Sequence, residues 1–561
     1  MKRIKNVGIM GNPFRAMAGL DSVYGYDVAV NDNMDALMQY GSFDKMSFFF
    51  EPNQYQEAVV RRKYRSLSRK KKTSIELDMV SEYDLINKMK NPEIDVLHNL
   101  GMEFSSQVFY RERMAQNPFP ITYTIHGASY PYYITDFYLK KLFMPFKEYD
   151  SLICTSNAVK KVVENILETM QYHLKKNGQA TIEYKGRLDV LPLGVDTDKF
   201  YPIDKEMARE KFNIPKDAFV MLWIGRFSAY DKADLIPLLL AVSRLKQNNP
   251  NKKVVLVIAG HDRKNMPLMP AMCEYSEKLG VSDNVIFYPE QKMTERNDLY
   301  AAADVFVSPI DNIQETFGLT PIEAMACGVP QVVSDWDGYK DTVVDGVTGF
   351  KIPTLWAKCD NDICESGLFP SEPMHRSAIH HFILSQSVAV DLDVFVNRIQ
   401  LLINDESLLR RMSEASVNRA KEIFSWKNVI PKYEDLWLEL MEKCEYAKAS
   451  QREENKLDFI IPRYYDYFKG YATKSLTKSD IVCLTDEGQL MVDGIFPLPK
   501  HYEIENSLNM INLAKKIADY LSKEGENTIT NIISFMDYKF ESQVIRASLW
   551  LIKQGFARVK N

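Results

Sequence analysis

An α/β fold of two consecutive doubly wound domains is predicted for this chain by three observations. Short continuous apolar runs alternate with amphipathic stretches from Ile4 to about Gly194. The same rhythm restarts, more cleanly, after the loop GVDTDKFYP. It then fails after Pro353, where a stretch rich in Cys, His, Asp, Ser and Pro intervenes before helical periodicity resumes at VAVDLDVFVNRIQLLI. Strands covered on both faces by crossover helices read as continuous apolar runs, which favours parallel sheets.

In the first series, KNVGIMG, KMSFFF, IDVLHNLG, PITYTIHG, YDSLICTS and LDVLPLG read as strands, with GYDVAVNDNMDALMQYG an amphipathic stretch between the first two. In the second, AFVMLWIGRF, KKVVLVIAGH, NVIFYP, DVFVSPI, PQVVSD and TGFKIP are strands, mostly separated by helical patterns such as DLIPLLLAVSRLKQ and TERNDLYAAA. Two such domains face each other across a cleft, and ligands bind outside the carboxyl ends of their strands. Residues 1–195 form the first domain and 196–425 the second, with a surface insertion near 354–386 beside the cleft. The polar run EKCEYAKASQREENK, from Glu442, reads as a linker to an accessory module over 446–561. Its last segment, NTITNIISFMDYKFESQVIRASLWLIKQGFARVK, has a helix, turn, helix and strand order compatible with a small winged-helix-like α/β module.

Composition narrows the class. The chain has 561 residues, 46% hydrophobic and 26% charged, which excludes a disordered chain and a small disulfide scaffold. Seventy basic against seventy-five acidic residues give a net charge of −5, too balanced for a nucleic-acid binder. The seven scattered cysteines fit a reducing compartment. The opening MKRIKNVGIMGNPF reads as a first strand, without the longer apolar core and cleavage site of a signal peptide. No run approaches the ~18 apolar residues of a membrane span. A cytoplasmic location is expected.

The most informative segment is DVFVSPIDNIQETFGLTPIEAMACGVPQVVSD. A strand leads through a loop with Glu315 and Gly318 into a short helix entered at Thr320-Pro321. Unpaired N–H groups at that helix start suit a diphosphate. Two carboxylates eight residues apart, Glu315 and Glu323, can accept hydrogen bonds from sugar and ribose hydroxyls. Thr320-Pro-Ile-Glu323 also fits a capping box, with Thr at N-cap and Glu at N3, and Glu315 alone reads as a solvated loop carboxylate. In WIGRFSAYDKAD, Arg226 and Lys232 follow a strand; such cations can neutralise a diphosphate leaving group, although a loop pair of this kind is usually solvated. In ITYTIHGAS, His126 ends a strand beside Gly127. Two further clusters stand out. RRKYRSLSRKKK (Arg61 to Lys72) is a solvated face or a grip on an anionic acceptor or membrane surface. Cys359, Cys364, His375, His380 and His381 match a structural zinc site only loosely, and a polar insertion without metal is the reading adopted.

These motifs resemble the E-x7-E signature and its companions in retaining, nucleotide-sugar-dependent glycosyltransferases of the GT-B fold, family 4. The resemblance covers Val195 to Pro353 closely and the first domain more loosely. It implies two facing Rossmann-like domains and a transferase using a UDP- or GDP-sugar. By this resemblance Glu315 contacts donor-sugar hydroxyls, Glu323 the ribose, and the amides of Phe317, Gly318 and Leu319 the phosphates and sugar. Arg226 and Lys232 meet the diphosphate, His126 touches the donor sugar, and the loop with Gly11 and Gly19 approaches phosphate or acceptor. FSWKNVIPKYEDLWLELMEK resembles the family's closing helix, crossing back to the first domain over 426–445. Front-face attack, with the departing phosphate taking the acceptor proton, would need no protein nucleophile. Because Arg226, Lys232 and the helix start can supply the positive field, metal-independent transfer with no cofactor beyond the donor is expected. The acceptor, a glycan, lipid or peptide, stays open. Rival readings are a GT-B phosphorylase or epimerase and a noncatalytic sugar-nucleotide sensor.

Overall fold

The computed structural model describes residues 3–11, 25–50, 54–70, 75–81, 87–88, 93–101, 106–130, 133–178, 182–262, 267–289, 292–365, 374–448, 463–497, 510–536 and 541–560. The chain divides into two compact units, Met1–Asn455 and Lys456–Asn561.

The larger unit contains two parallel sheets. The first comprises β1 (Asn6–Met10), β2 (Lys45–Phe50), β3 (Glu76–Ser81), β4 (Val96–Asn99), β5 (Ile121–Ile125), β6 (Ser151–Cys154) and β7 (Arg187–Val190), in the order 3-2-1-4-5-6-7. The second comprises β8 (Phe219–Phe227), β9 (Val254–Asp262), β10 (Val285–Tyr288), β11 (Val305–Ser308), β12 (Gln331–Ser334) and β13 (Gly349–Ile352), in the order 10-9-8-11-12-13. Both orders reverse beside the first strand of their sheet, which opens a crevice at the strands' carboxyl ends. Burial explains the runs read as strands: β1, β4, β5, β6, β11 and β12 are buried along their whole length. One strand, β3, escapes the sequence reading. It lies at the sheet edge, and its ELDMVS carries two acidic residues, with Lys45 of β2 3.1 Å from Asp78.

The helix Trp426–Lys448 crosses back onto the first half. Trp426, Tyr433 and Trp437 share a core with Ile9, Val30 and Leu37. Gly194 leaves room for the Trp426 ring, which a Cβ there would meet at 2.4 Å. The carboxylate of Glu434 accepts hydrogen bonds from the Ser42 amide (2.6 Å) and hydroxyl (2.7 Å). The helix runs through Lys448 and buries Cys444, so the polar run from Glu442 begins as helix and not as linker.

After β13 the chain forms β14 (Thr354–Leu355), leaves the sheet, and returns as β15 (Ala389–Val390), antiparallel to β14. Between them lies the helix Met374–Ser385, whose His380 and His381 are buried. This part of the 354–386 insertion turns His380 and His381 inward while Ile379 and Ile383 stay exposed.

In the smaller unit, β16 (Ile481–Leu484), β17 (Asn527–Thr528) and β18 (Ala557–Val559) form an antiparallel sheet in the order 17-16-18. The helices Met510–Glu524, Ile529–Met536 and Glu541–Lys553 pack Ile517, Ile532, Val544 and Leu551 into a separate core. The helix, helix and terminal strand read from the sequence are present, and the central strand β16 comes from ahead of them. Among the described residues, no helix is long and apolar enough to cross a membrane.

Candidate active site

A cavity between the two sheets is lined from the first half by Tyr26, Ala29 and His126, and from the second by Arg226, Lys232, His261, Arg296 and residues 314–320. Its walls are the carboxyl ends of strands: Arg226 is the penultimate residue of β8, His261 that of β9, and His126 follows β5 directly.

Lys232 Nζ lies 2.6 Å from Glu315 Oε2, and neither side chain is more than 19% exposed. Glu315 Oε1 accepts from the backbone N–H groups of Thr316 (3.2 Å), Phe317 (3.4 Å) and Gly318 (3.1 Å). Burial opposes the charge on Glu315, yet Lys232 and these amides hold its carboxyl below the ordinary range. Burial likewise opposes the Lys232 charge, and Glu315 overcomes it, raising the ammonium to about 12. Glu315 is thus not a solvated loop carboxylate, and the amides of Phe317 and Gly318 donate to it. Arg226 is also buried; its Nη2 donates to the Asp231 carbonyl at 3.1 Å.

The helix after this loop is Leu319–Ala326, with Gly318 at the N-cap in a left-handed conformation of φ +93°. A Cβ at Gly318 would come within 2.2 Å of Tyr339, so only glycine fits this turn. The capping box therefore does not form: Thr320 lies inside the helix, its buried hydroxyl has no partner, and Glu323 faces elsewhere. Glu323 Oε1 accepts from Arg296 Nη1 at 2.9 Å, and its Oε2 from the Tyr300 hydroxyl at 2.7 Å. It is not among the residues lining the cavity, but Arg296 is. Each carboxylate oxygen keeps a second lone pair for a ligand hydroxyl. The Nε of Arg296 is buried without a partner, like the Thr320 hydroxyl, and ligand oxygens would satisfy both.

Thr316 ties this loop to the first half. Its hydroxyl donates to the His126 carbonyl at 3.2 Å, and its own carbonyl accepts from Ser156 Oγ at 2.7 Å. His126 is thereby brought to the cavity with Arg226, Lys232, Glu315, Phe317, Gly318 and Leu319, its ring 5.0 Å from that of Tyr26. Gly11, with φ +102°, is not among the lining residues, and Gly19 lies outside the described residues.

The basic run begins in the helix Gln54–Lys70, where Arg61 pairs with Glu57 at 2.8 Å and Lys63 with Asp35 at 3.0 Å; Lys71 and Lys72 lie outside the described residues. The side chains of Cys364 and His375 are likewise outside them. Among the described residues, no group of three His, Cys, Asp or Glu could hold a metal ion.

Sequence reasoning missed Arg296, Tyr26 and His261. Arg296 carried a signal: it opens the helix Arg296–Ala302, where the helix dipole disfavours a cation. His261 repeats the strand-end pattern of His126.

Residues 204–357 match the family model for glycosyl transferases group 1. The chain carries a glycosyl transferases group 1 domain. The matched span runs from just after the inter-sheet loop to β14, and contains Arg226, Lys232, Arg296, Glu315 and Glu323. Relatives of this domain include the D-inositol 3-phosphate glycosyltransferase of Streptosporangium roseum, 33% identical over 180 residues, 31% of this chain and 40% of that protein. The enzyme of the same name from Mycolicibacterium smegmatis is 33% identical over 165 residues, 29% of this chain and 36% of its own length. The chain thus spans no more than 40% of the length of these two curated relatives. Among solved structures, Anabaena Alr3699/HepE in complex with UDP is 14% identical with a TM-score of 0.49, over 78% of this chain and all of that one. Sucrose-phosphate synthase from Thermosynechococcus elongatus is 17% identical with a TM-score of 0.47, over 78% and 100%.

Proposed function

We propose that this chain is a retaining glycosyltransferase that moves a sugar from a UDP- or GDP-sugar to an acceptor, without a metal ion. The observation that carries this reading is the Lys232–Glu315 pair in the cleft wall, 2.6 Å apart, with Arg226 lining the same cavity. Breaking a glycosidic bond to a nucleoside diphosphate places developing charge on the leaving phosphate. Cations already desolvated and oriented stabilise that charge without reorganisation. Lys232 and Arg226 take this role, helped by the N-terminus of the helix Leu319–Ala326. Glu315, held charged, accepts from the hydroxyls of the transferred sugar. Glu323 and Arg296 receive the ribose.

In front-face transfer the glycosidic C–O bond breaks as the acceptor oxygen attacks the same face, and the departing phosphate oxygen takes the acceptor proton. The first half holds the acceptor, a glycan, lipid or peptide, and the basic face of Gln54–Lys70 would favour an anionic acceptor or an anionic membrane surface. A cytoplasmic location follows from the same reading. The test is a panel of UDP- and GDP-sugars scored by nucleotide release and thermal shift, with and without EDTA. Release from one donor that survives chelation supports the proposal; an EDTA-sensitive rate restored by Mg²⁺ removes its metal-free part. Release that requires orthophosphate would favour a phosphorylase.

A further inference from the structure

The family match ends at residue 357, and the excursion from the second sheet begins there. It starts and ends at one place, since Leu355 of β14 lies opposite Ala389 of β15. Its helix Met374–Ser385 packs on the turn after β8 that carries Lys232. The Phe382 ring stacks on Tyr230, with centroids 4.7 Å apart and planes at 24°. Ser385 Oγ donates to the Ala229 carbonyl at 3.3 Å. From the same helix His381 reaches the other half of the cleft. Its Nε2 lies 3.4 Å from the Ser129 carbonyl and its ring 4.8 Å from that of Tyr130. Ser129 is three residues beyond His126. Burial pushes the His381 imidazole down, opposed in part by the charge of Asp231, whose carbonyl accepts from Arg226.

His381 is 1% exposed, yet its Nδ1 finds no partner, and neither do His380 Nε2, Ser129 Oγ or Ser228 Oγ. Buried polar atoms left unpaired cost stability, and an apolar side chain at 381 would avoid that cost. A histidine kept there against stability suggests a task other than filling the core.

We propose that His381 is a positioning residue for the transfer reaction: carried on the excursion helix, it fixes the strand end bearing His126 against the end of β8 bearing Arg226 and the turn after it bearing Lys232. This rests on the glycosyltransferase reading. His381 touches neither donor nor reacting atoms; it sets the distance between the groups that do.

The test uses the full chain with the donor found in the panel. His381→Leu should keep its melting temperature and its affinity for free UDP or GDP, because the nucleotide pocket is complete without it, while kcat falls about tenfold or more. His381→Gln, whose amide can still donate to Ser129, should recover most of that loss. Replacing residues 356–388 by a two-residue Asn-Gly turn, which the β14–β15 hairpin can accept, should give a folded, nucleotide-binding chain with at least the same loss of kcat. A His381→Leu rate within about twofold of wild type overturns the proposal. So does a rate loss matched by lost melting temperature and nucleotide affinity, because a merely structural histidine would behave that way. Wild type inactive on every donor overturns the glycosyltransferase reading, and this inference with it, so wild type alone tells the two failures apart.

Discussion

At the residue scale, Lys232 and Glu315 keep each other charged in a wall where burial opposes both charges. Lys232→Ala should cost on the order of 2–4 kcal/mol of transition-state stabilisation, read from kcat/KM for the donor; an unchanged value would remove Lys232 from the chemistry. Glu323 gives a second prediction. Because buried Glu323 pairs with the partly exposed Arg296 instead of capping its helix, Glu323→Gln should cost about 3 kcal/mol in urea unfolding and weaken nucleotide binding. A capping role would tolerate Gln, so a variant as stable as wild type contradicts the structure. Glu315, Arg226, Lys232 and Glu323 were singled out chiefly by the resemblance to the glycosyltransferase signature, since each by itself reads as a solvated or capping residue. Their partners were not legible. Lys232 meets Glu315 only because the turns after β8 and β11 converge, and Glu323 meets Arg296 only because two helices pack side by side.

At the scale of elements, the apolar runs announced twelve of the thirteen parallel strands, because two-sided burial leaves an unbroken signature. β3 was missed for the converse reason: at an edge its outward residues can be charged. The helix start at Gly318 was misplaced by two residues because a Thr-Pro pair imitates a cap, whereas the close approach of Tyr339 selects glycine. The loop after β11 carries a testable electrostatic cost. Burial, with the neighbouring Asp234 charge, pushes the Asp311 carboxyl up to about 8 from an ordinary 3.8. The folded state therefore favours protonated Asp311, a stabilisation complete below the unfolded value and lost as pH rises through about 8. Asp311→Asn should lose less melting temperature than wild type between pH 5 and 9, while parallel curves would show that Asp311 ionises without cost in the fold.

At the scale of the molecule, two sheets and a crossing helix form one unit, and the last residues form another with its own core. Ending the chain at Asn455 should leave a soluble, cooperatively melting protein that still binds nucleotide; aggregation of that truncation would mean the second unit completes the first. The existence of a separate C-terminal unit was legible from its polar approach, but its boundary was not, because Glu442 to Lys448 are polar on one face and buried on the other at Cys444. The most direct measurement of the central claim is nucleotide release from a panel of UDP- and GDP-sugars by wild type, Lys232→Ala and Glu315→Gln side by side. The account predicts release from at least one donor by wild type, loss of that release in both variants, and near-wild-type affinity for the free nucleotide in Glu315→Gln. Undiminished release by Glu315→Gln, or tight nucleotide binding by wild type with no release from any donor, would contradict it.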